Sequence, residues 1–361
     1  MHITLIAGTR PNFVKVSPII HALLKEQKSS IIFRLVHTGQ HYDSSMSDSF
    51  FQELNIPKPN VNLEVGSGTQ AEQTAAIMIA FERDLNKNPT DLVLVVGDVT
   101  STMACSIVAK KMNIPLAHVE GGIRSFDNSM PEEINRKVTD SITDYFFTTS
   151  EYANKNLLNE GVNKEDIFFV GNVMIDTLKV QMSKFKKPTL FDINSLTKVN
   201  YIVLTLHRPG NVDDPENLEV LLKTITENSN NYKVIFPIHP RTSKILESNN
   251  IKIDQLITVP ALSYLEFNYL VKNSFAVITD SGGITEETTV MDIPCLTLRD
   301  NTERPETCSI GTNELVGTDP EKLKSTLKKL FSGKWKKGGI PELWDGKAAE
   351  RIVEKLIQIL N

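Results

Sequence analysis

The chain has 361 residues, 40% hydrophobic and 23% charged, with a formal net charge of −5. Its length exceeds one typical core and suggests two domains of about 150–200 residues each, and the near-average composition excludes a disordered chain. An acidic balance without a Lys/Arg run argues against a nucleic-acid partner, and no stretch of about 18 apolar residues reads as a membrane span.

Cys105, Cys295 and Cys308 are odd in number, far apart and without a Cys-x-x-Cys pair. They fit a reduced compartment and make no thiolate metal site. The N-terminal MHITLIAGTRP reads as a strand rather than a secretory leader. A cytoplasmic protein with no membrane partner is expected.

From the N-terminus, Ile3–Ala7 reads as a strand, Gly8-Thr9-Arg10-Pro11 as a turn, and Asn12–Lys25 as a helix with apolar residues at helical spacing. Strand Phe33–Thr38 and helix Gln70–Leu85 follow. Leu92–Val96 is continuous in Leu and Val, as a strand covered on both faces should be. Gly97-Asp98, helix Ser101–Met112 and strand Ile114–Val119 lead into HVEGGIRSFDNSMPEEINR, whose tail is helical from Glu132. Strands Tyr145–Thr149 and Ile167–Val170 alternate with helices Tyr152–Asn159 and Val173–Gln181.

Residues 184–199, with Pro188 and broken periodicity, read as a linker. The alternation then restarts with strands at Tyr201–Leu206, Lys233–Pro237, Leu256–Val259, Phe275–Thr279 and Pro294–Leu298, and it ends in helix Ala348–Leu360. Two strand–helix series imply an α/β fold of two Rossmann-like, doubly wound domains facing a central cleft. The expected partition is 1–183, linker 184–199, 200–345, and a C-terminal helix, 346–361, crossing back to the first domain.

Ligands of such sheets lie beyond the carboxyl ends of the strands, which directs attention to the loops there. Gly8–Pro11 joins strand to helix, where backbone N–H groups favour an anion; Arg10 adds a guanidinium and Lys15 lies one turn on. The loop is not a G-x-G-x-x-G fingerprint, so no nicotinamide or flavin cofactor is expected. Asp98 ends the Leu/Val strand as an acid, a base or a helix cap, and Ser101 competes for the capping role. The HVEGG segment carries Glu120, Arg124, Asp127, Glu132, Glu133 and Arg136. A solvated loop with surface ion pairs is the alternative reading there.

In the second half, His207 and His239 each follow a strand and can contact phosphate or move a proton; a satisfied, partly buried histidine is the alternative. Asp280-Ser281-Gly282-Gly283 is a glycine turn into a helix suited to a diphosphate, and Glu286 or Glu287 can accept two ribose hydroxyls. Arg299 and Arg304 follow the next strand. Three phosphate-type loops and several carboxylates at strand ends point to a nucleotide-sugar enzyme.

The ordered series Gly-Thr-Arg-Pro, Gly97-Asp98, His118–Arg124, Pro131–Arg136, His207-Arg208, Asp280–Glu287, Arg299–Glu306 and Trp344–Arg351 resembles that of non-hydrolysing UDP-N-acetylglucosamine 2-epimerases, over nearly the whole chain. The resemblance implies a glycosyltransferase-B type fold, a homodimer, no cofactor or metal, and a UDP-sugar substrate. It implies interconversion of UDP-GlcNAc and UDP-ManNAc by elimination of UDP to a bound glycal and re-addition, for surface polysaccharide synthesis. Carried over by motif, Asp98, Glu120, Glu132 and His207 are catalytic. By the same motifs Arg10, Arg136, Phe267, Ser281, Gly282, Gly283 and Glu287 bind substrate, with Phe267 against uracil and Glu287 at the ribose; Lys15, His239 and Arg304 join them as substrate-binding candidates by their positions in the chain.

Three departures bear on specificity. Asn12 stands where the family usually has Glu, Pro-Gly-Asn follows His207-Arg208, and Tyr42-Asp43 replaces residues of the activating second UDP-GlcNAc site found in regulated members. Competing readings are a hydrolysing 2-epimerase releasing ManNAc and UDP, a 2-epimerase of a modified UDP-amino sugar, a glycosyltransferase, and a nucleotide-sugar sensor.

Overall fold

A computed structural model describes residues 1–26, 31–39, 51 and 53–360, with the side chains of Arg10 and Leu360 left out. The chain forms two compact units, Met1–Thr177 with Glu342–Asn361, and Leu178–Pro341.

The first unit is built on a seven-stranded parallel sheet: β1 His2–Ala7, β2 Ile32–His37, β3 Val61–Asn62, β4 Leu92–Val96, β5 Leu116–Val119, β6 Tyr145–Thr148 and β7 Ile167–Phe169, in the order β3-β2-β1-β4-β5-β6-β7. β4 is buried at every position, the consequence of helices on both faces. On one face Ile6, Val36, Val93 and Val95 pack with Phe81, Leu85, Ala104, Cys105 and Val108, each large aliphatic contributing about 1.5–3 kcal/mol. The helix Thr100–Lys111 buries Thr, Ser, Ala and Cys side chains, small enough for a close approach to the sheet. Helix Gln70–Lys87 begins at a Thr69/Glu72 capping box.

The C-terminal segment completes this unit. Trp344 is fully buried and donates its indole N–H to the Thr149 carbonyl at 3.1 Å. Asp176 accepts the N–H groups of Ala348 and Ala349 at 3.1 and 2.7 Å, capping the helix Ala348–Leu360, which packs on the helix Arg10–Lys25.

The second unit holds a six-stranded parallel sheet: β8 Tyr201–Thr205, β9 Lys233–Ile238, β10 Leu256–Pro260, β11 Ala276–Thr279, β12 Cys295–Thr297 and β13 Asn313–Leu315, ordered β10-β9-β8-β11-β12-β13. Residues 184–199, whose broken periodicity suggested a linker, contain a short helix, Leu190–Ile193. They bury Leu190, Phe191 and Leu196 against Tyr201, Val203 and Leu270. The edge strands β3 and β13 were not anticipated from the sequence; at two and three residues they are too short to carry a period.

Strand order reverses between β1 and β4 in one unit and between β8 and β11 in the other. Such reversals open a crevice at the carboxyl ends of the strands. Gly8–Lys15 and Gly97-Asp98 leave the first reversal; His207 and Asp280 leave the second. Among the described residues no helix is long and apolar enough to cross a membrane.

Candidate active site

In the first unit β4 ends in Gly97, at φ +71. Its N–H donates to the Val119 carbonyl at 3.0 Å, joining the ends of β4 and β5. A side chain here would press on one group and touch two more. A Cβ on Gly97 would lie 3.1 Å from Lys15 Nζ, 3.6 Å from Asn12 Nδ2 and 3.8 Å from Glu120 Oε2. Three loops distant in sequence thus meet around one glycine.

Lys15 Nζ donates to Glu120 Oε2 at 2.7 Å, with Glu120 almost wholly buried. Glu120 adopts φ +73, which costs a non-glycine residue about 1–2 kcal/mol and persists only where the surroundings over-determine it. Asn12 Oδ1 accepts the N–H groups of Gly8 and Thr9, each at 3.2 Å, and its Nδ2 donates to the Val96 carbonyl at 3.0 Å. A glutamate carboxylate could not make that last bond, by which Asn12 ties the Gly8-Thr9 turn to the end of β4.

Asp98 is half-buried and pairs with Arg136 Nη2, while its carbonyl accepts Asn135 Nδ2 at 2.8 Å. Capping falls to neither acid nor serine: the helix Thr100–Lys111 starts at Val99 with no side-chain cap. Arg136 is itself buried and also donates to Glu133 Oε2 at 2.9 Å. The residue expected at a phosphate thus lies between two carboxylates.

Glu133, expected to be a surface acid, is fully buried and accepts the Ser125 N–H and hydroxyl at 2.8 and 2.9 Å and the Phe126 N–H at 3.1 Å. Burial opposes its charge, but the Ser125 bonds and Arg136 outweigh it and hold its carboxyl below the ordinary glutamate range. Arg124, equally, is no loop decoration, since it is buried against Asp140 and Glu160. Glu132 is exposed on the first turn of the helix Pro131–Ser141, one turn before Arg136.

In the second unit Asp280, at the end of β11, organises the end of β8. It accepts the backbone N–H of Arg208 at 2.9 Å and Asn211 Nδ2 at 3.0 Å, and its Oδ1 lies 2.8 Å from His207 Nδ1. Although burial disfavours its charge, the His207 pairing and the Arg208 and Asn211 bonds keep its carboxyl below the ordinary aspartate range. The carboxylate fixes the His207 proton on Nδ1 and leaves Nε2 on a side chain 57% exposed. This orienting role of Asp280 was not anticipated. It depends on β8 and β11 being neighbours, which sequence order conceals.

Ser281 precedes the helix Gly282–Val290 without a side-chain cap bond. A Cβ on Gly282 would lie 2.5 Å from Glu303 Oε1, and Arg299 Nη2 pairs with Glu303 at 2.7 Å. Glu287, one turn into this helix, is buried and accepts the Tyr264 hydroxyl at 2.7 Å and Asn268 Nδ2 at 3.5 Å. Burial, with Glu286 adding to it, pushes the Glu287 carboxyl up to about 7 against those donors. Burial likewise pushes Glu306 up to about 7. Arg304 Nε pairs with Glu286 at 2.5 Å.

Two expected ligand contacts have other duties. His239 Nδ1 accepts the Arg241 N–H at 3.3 Å as the cap of the helix Pro240–Ser248, and Phe267 is half-buried against the core around Phe191. The Arg10 side chain and Gln40–Asp43 lie outside the described residues. Among the described residues no three His, Cys, Asp or Glu side chains cluster to hold a metal ion.

A family model described as UDP-N-acetylglucosamine 2-epimerase matches residues 24–357. A Methanocaldococcus jannaschii protein named UDP-N-acetylglucosamine 2-epimerase is 43% identical over 99% of both chains. A crystal structure of the M. jannaschii UDP-GlcNAc 2-epimerase in complex with UDP-GlcNAc and UDP superposes with a TM-score of 0.88, at 42% identity, over 99% of this chain and 100% of that one. The Pseudomonas aeruginosa UDP-2,3-diacetamido-2,3-dideoxy-D-glucuronate 2-epimerase is 36% identical over 99% of this chain and all of its own.

Proposed function

The chain belongs to the UDP-N-acetylglucosamine 2-epimerase family, with two α/β units of the glycosyltransferase-B type, and we propose that it interconverts UDP-GlcNAc and UDP-ManNAc without hydrolysing either. The observation that carries the proposal is the pair of carboxylates at the ends of adjacent strands, Asp98 on Arg136 and Glu120 on Lys15.

C2 of the sugar is not next to a carbonyl, so its proton is not acidic enough for simple enolisation. A base takes that proton, the electrons form a C1–C2 double bond, and the C1–O bond breaks to release UDP. Return of a proton to the opposite face of C2 and attack of UDP oxygen on C1 complete the inversion. The steps need acid/base groups held ready on unit 1 and stabilisation of the departing diphosphate.

In this reading Asp98, Glu120 and Glu132 exchange the protons, with Arg136 and Lys15 holding Asp98 and Glu120 in place before substrate arrives. His207, held by Asp280, serves the diphosphate through Nε2. The Ser281–Gly283 turn and the start of its helix receive phosphate once the Glu303 carboxylate moves aside, and Glu287 takes the ribose hydroxyls. Arg10, Lys15, Arg304, His239 and Phe267 complete the proposed substrate contacts, while Arg136 acts through Asp98. A homodimer working in the cytoplasm and feeding surface polysaccharide synthesis belongs to the same proposal.

The P. aeruginosa relative favours one second reading, a UDP-diacetamido uronate as the substrate. Incubation with each UDP-sugar in deuterated water, followed by NMR, separates the readings. Deuterium at C2 of both UDP-GlcNAc and UDP-ManNAc is the expected result. Free ManNAc with UDP would establish hydrolysis, exchange of the uronate alone would move the substrate, and no exchange with either would overturn the proposal.

A further inference from the structure

His118, the third residue of β5, is fully buried and has no part in the chemistry above. Its Nδ1 lies 2.6 Å from Asp140 Oδ1 and its Nε2 lies 2.8 Å from the Gly97 carbonyl. A carbonyl oxygen can only accept. Asp140 is also an acceptor here, its other oxygen taking the Gly122 N–H and Arg124 Nη1. Two acceptors on one ring require two N–H donors.

We propose that His118 is a buried imidazolium which, with Asp140 and Arg124, positions both acid/base carboxylates of the first unit. The proposal rests on the roles given above to Asp98 and Glu120.

The network touches both sites through the backbone. Nε2 holds the carbonyl of Gly97, the residue before Asp98. Asp140 Oδ2 holds the Gly122 N–H at 3.0 Å and Arg124 Nη1 at 2.6 Å. Arg124 donates on to Glu160 at 2.8 and 2.6 Å, and Asn156 Nδ2 holds the Gly122 carbonyl at 2.9 Å. Gly122, at φ +80, admits no side chain, since a Cβ would lie 2.4 Å from the Ala153 carbonyl oxygen.

Glu120 at its positive φ is therefore bracketed by His118 two residues before and the Asp140-bound Gly122 two residues after. This is the over-determined surrounding that a strained residue needs. Two cations, His118 and Arg124, balance two carboxylates, Asp140 and Glu160, so the cluster carries no net charge into the interior. Its effect on the reaction is to set where Asp98 and Glu120 point, a displacement of about 1 Å being enough to cost about 100-fold in rate.

The test has two arms. In wild-type protein labelled with 15N-histidine, NMR at neutral pH is expected to show one histidine with hydrogens on both ring nitrogens, protected from exchange; a neutral His118 ring overturns the proposal whatever the variants do. In the C2-exchange assay, His118→Gln and Asp140→Asn are expected to lose about 100-fold in kcat with KM for UDP-GlcNAc and affinity for UDP changed less than about 3-fold. Folded variants with near-normal kcat overturn it. Should either variant fail to fold, Glu160→Gln, whose side chain is 43% exposed, takes its place, with a fall in kcat of about 10-fold expected and no fall overturning the proposal. Absence of exchange in the wild type would instead defeat the substrate reading and leave the ring-proton result standing.

Discussion

The two units balance some of their buried carboxylates differently. In the first, four carboxylates have a cation against them: Lys15 on Glu120, Arg136 on Asp98 and Glu133, and Arg124 on Asp140. In the second, Asp280 and Glu286 are paired with His207 and Arg304, but Glu287 meets a phenol and an amide, and Glu286 adds to the burial that raises it. Partners hold Glu133 and Asp140 below the ordinary carboxylate range against burial, whereas burial lifts Glu287 and Glu306 to about 7. The difference follows the work proposed for each side. A group that takes a proton from carbon must be ionised and aimed before the substrate comes, and one that returns it must carry a proton, whereas a group that accepts hydroxyls can be completed by the ligand itself.

The largest expected effect breaks the first side. Glu120→Gln keeps the shape and removes the charge, and it should lower the rate of C2 exchange by about 10²–10⁴-fold while UDP binding stays close to wild type. Near-normal turnover would reduce Glu120 to a structural partner of Lys15. Next comes stability. Glu133→Ala strands the Ser125 and Phe126 N–H groups and half of the Arg136 pairing, a loss of about 3–5 kcal/mol for a broken buried ion pair. Urea unfolding measures it, and a loss below about 1 kcal/mol would mean that the pair is not a structural anchor.

Much of this was legible in the chain. Leu92–Val96 and Ile3–Ala7 announce parallel strands by apolar continuity, and HVEGG and DSGG stand out because charge and glycine follow such strands. What the sequence withheld is direction and neighbourhood. Glu132 and Glu133 are adjacent on one helix turn, yet one is exposed and the other fully buried; about 100° of rotation, finer than periodicity resolves near a helix start, separates them. Arg136 reads equally well as a phosphate ligand or as a partner of Asp98, 38 residues away. Asp280 acquires its role only when β11 is laid beside β8, skipping two strands.

The smallest effect sharpens the second side. Glu287 lies at about 7 when folded against 4.5 as an ordinary glutamate. Between those values the folded chain holds a proton that the unfolded chain has released, so the stability from this group is full below about 4.5 and declines until the pH passes about 7. Glu306 contributes a slope of the same sign. Glu287→Gln should therefore flatten only part of the decline, a change on the order of 3 kcal/mol, read from urea midpoints across that window. UDP affinity should run the other way. Ribose hydroxyls are donors and select the ionised carboxylate, so binding should strengthen as the pH rises through about 7 in the wild type and lose that dependence in the variant. A carboxylate kept only for packing would show the stability slope and leave UDP affinity flat, and that outcome would remove Glu287 from the ribose.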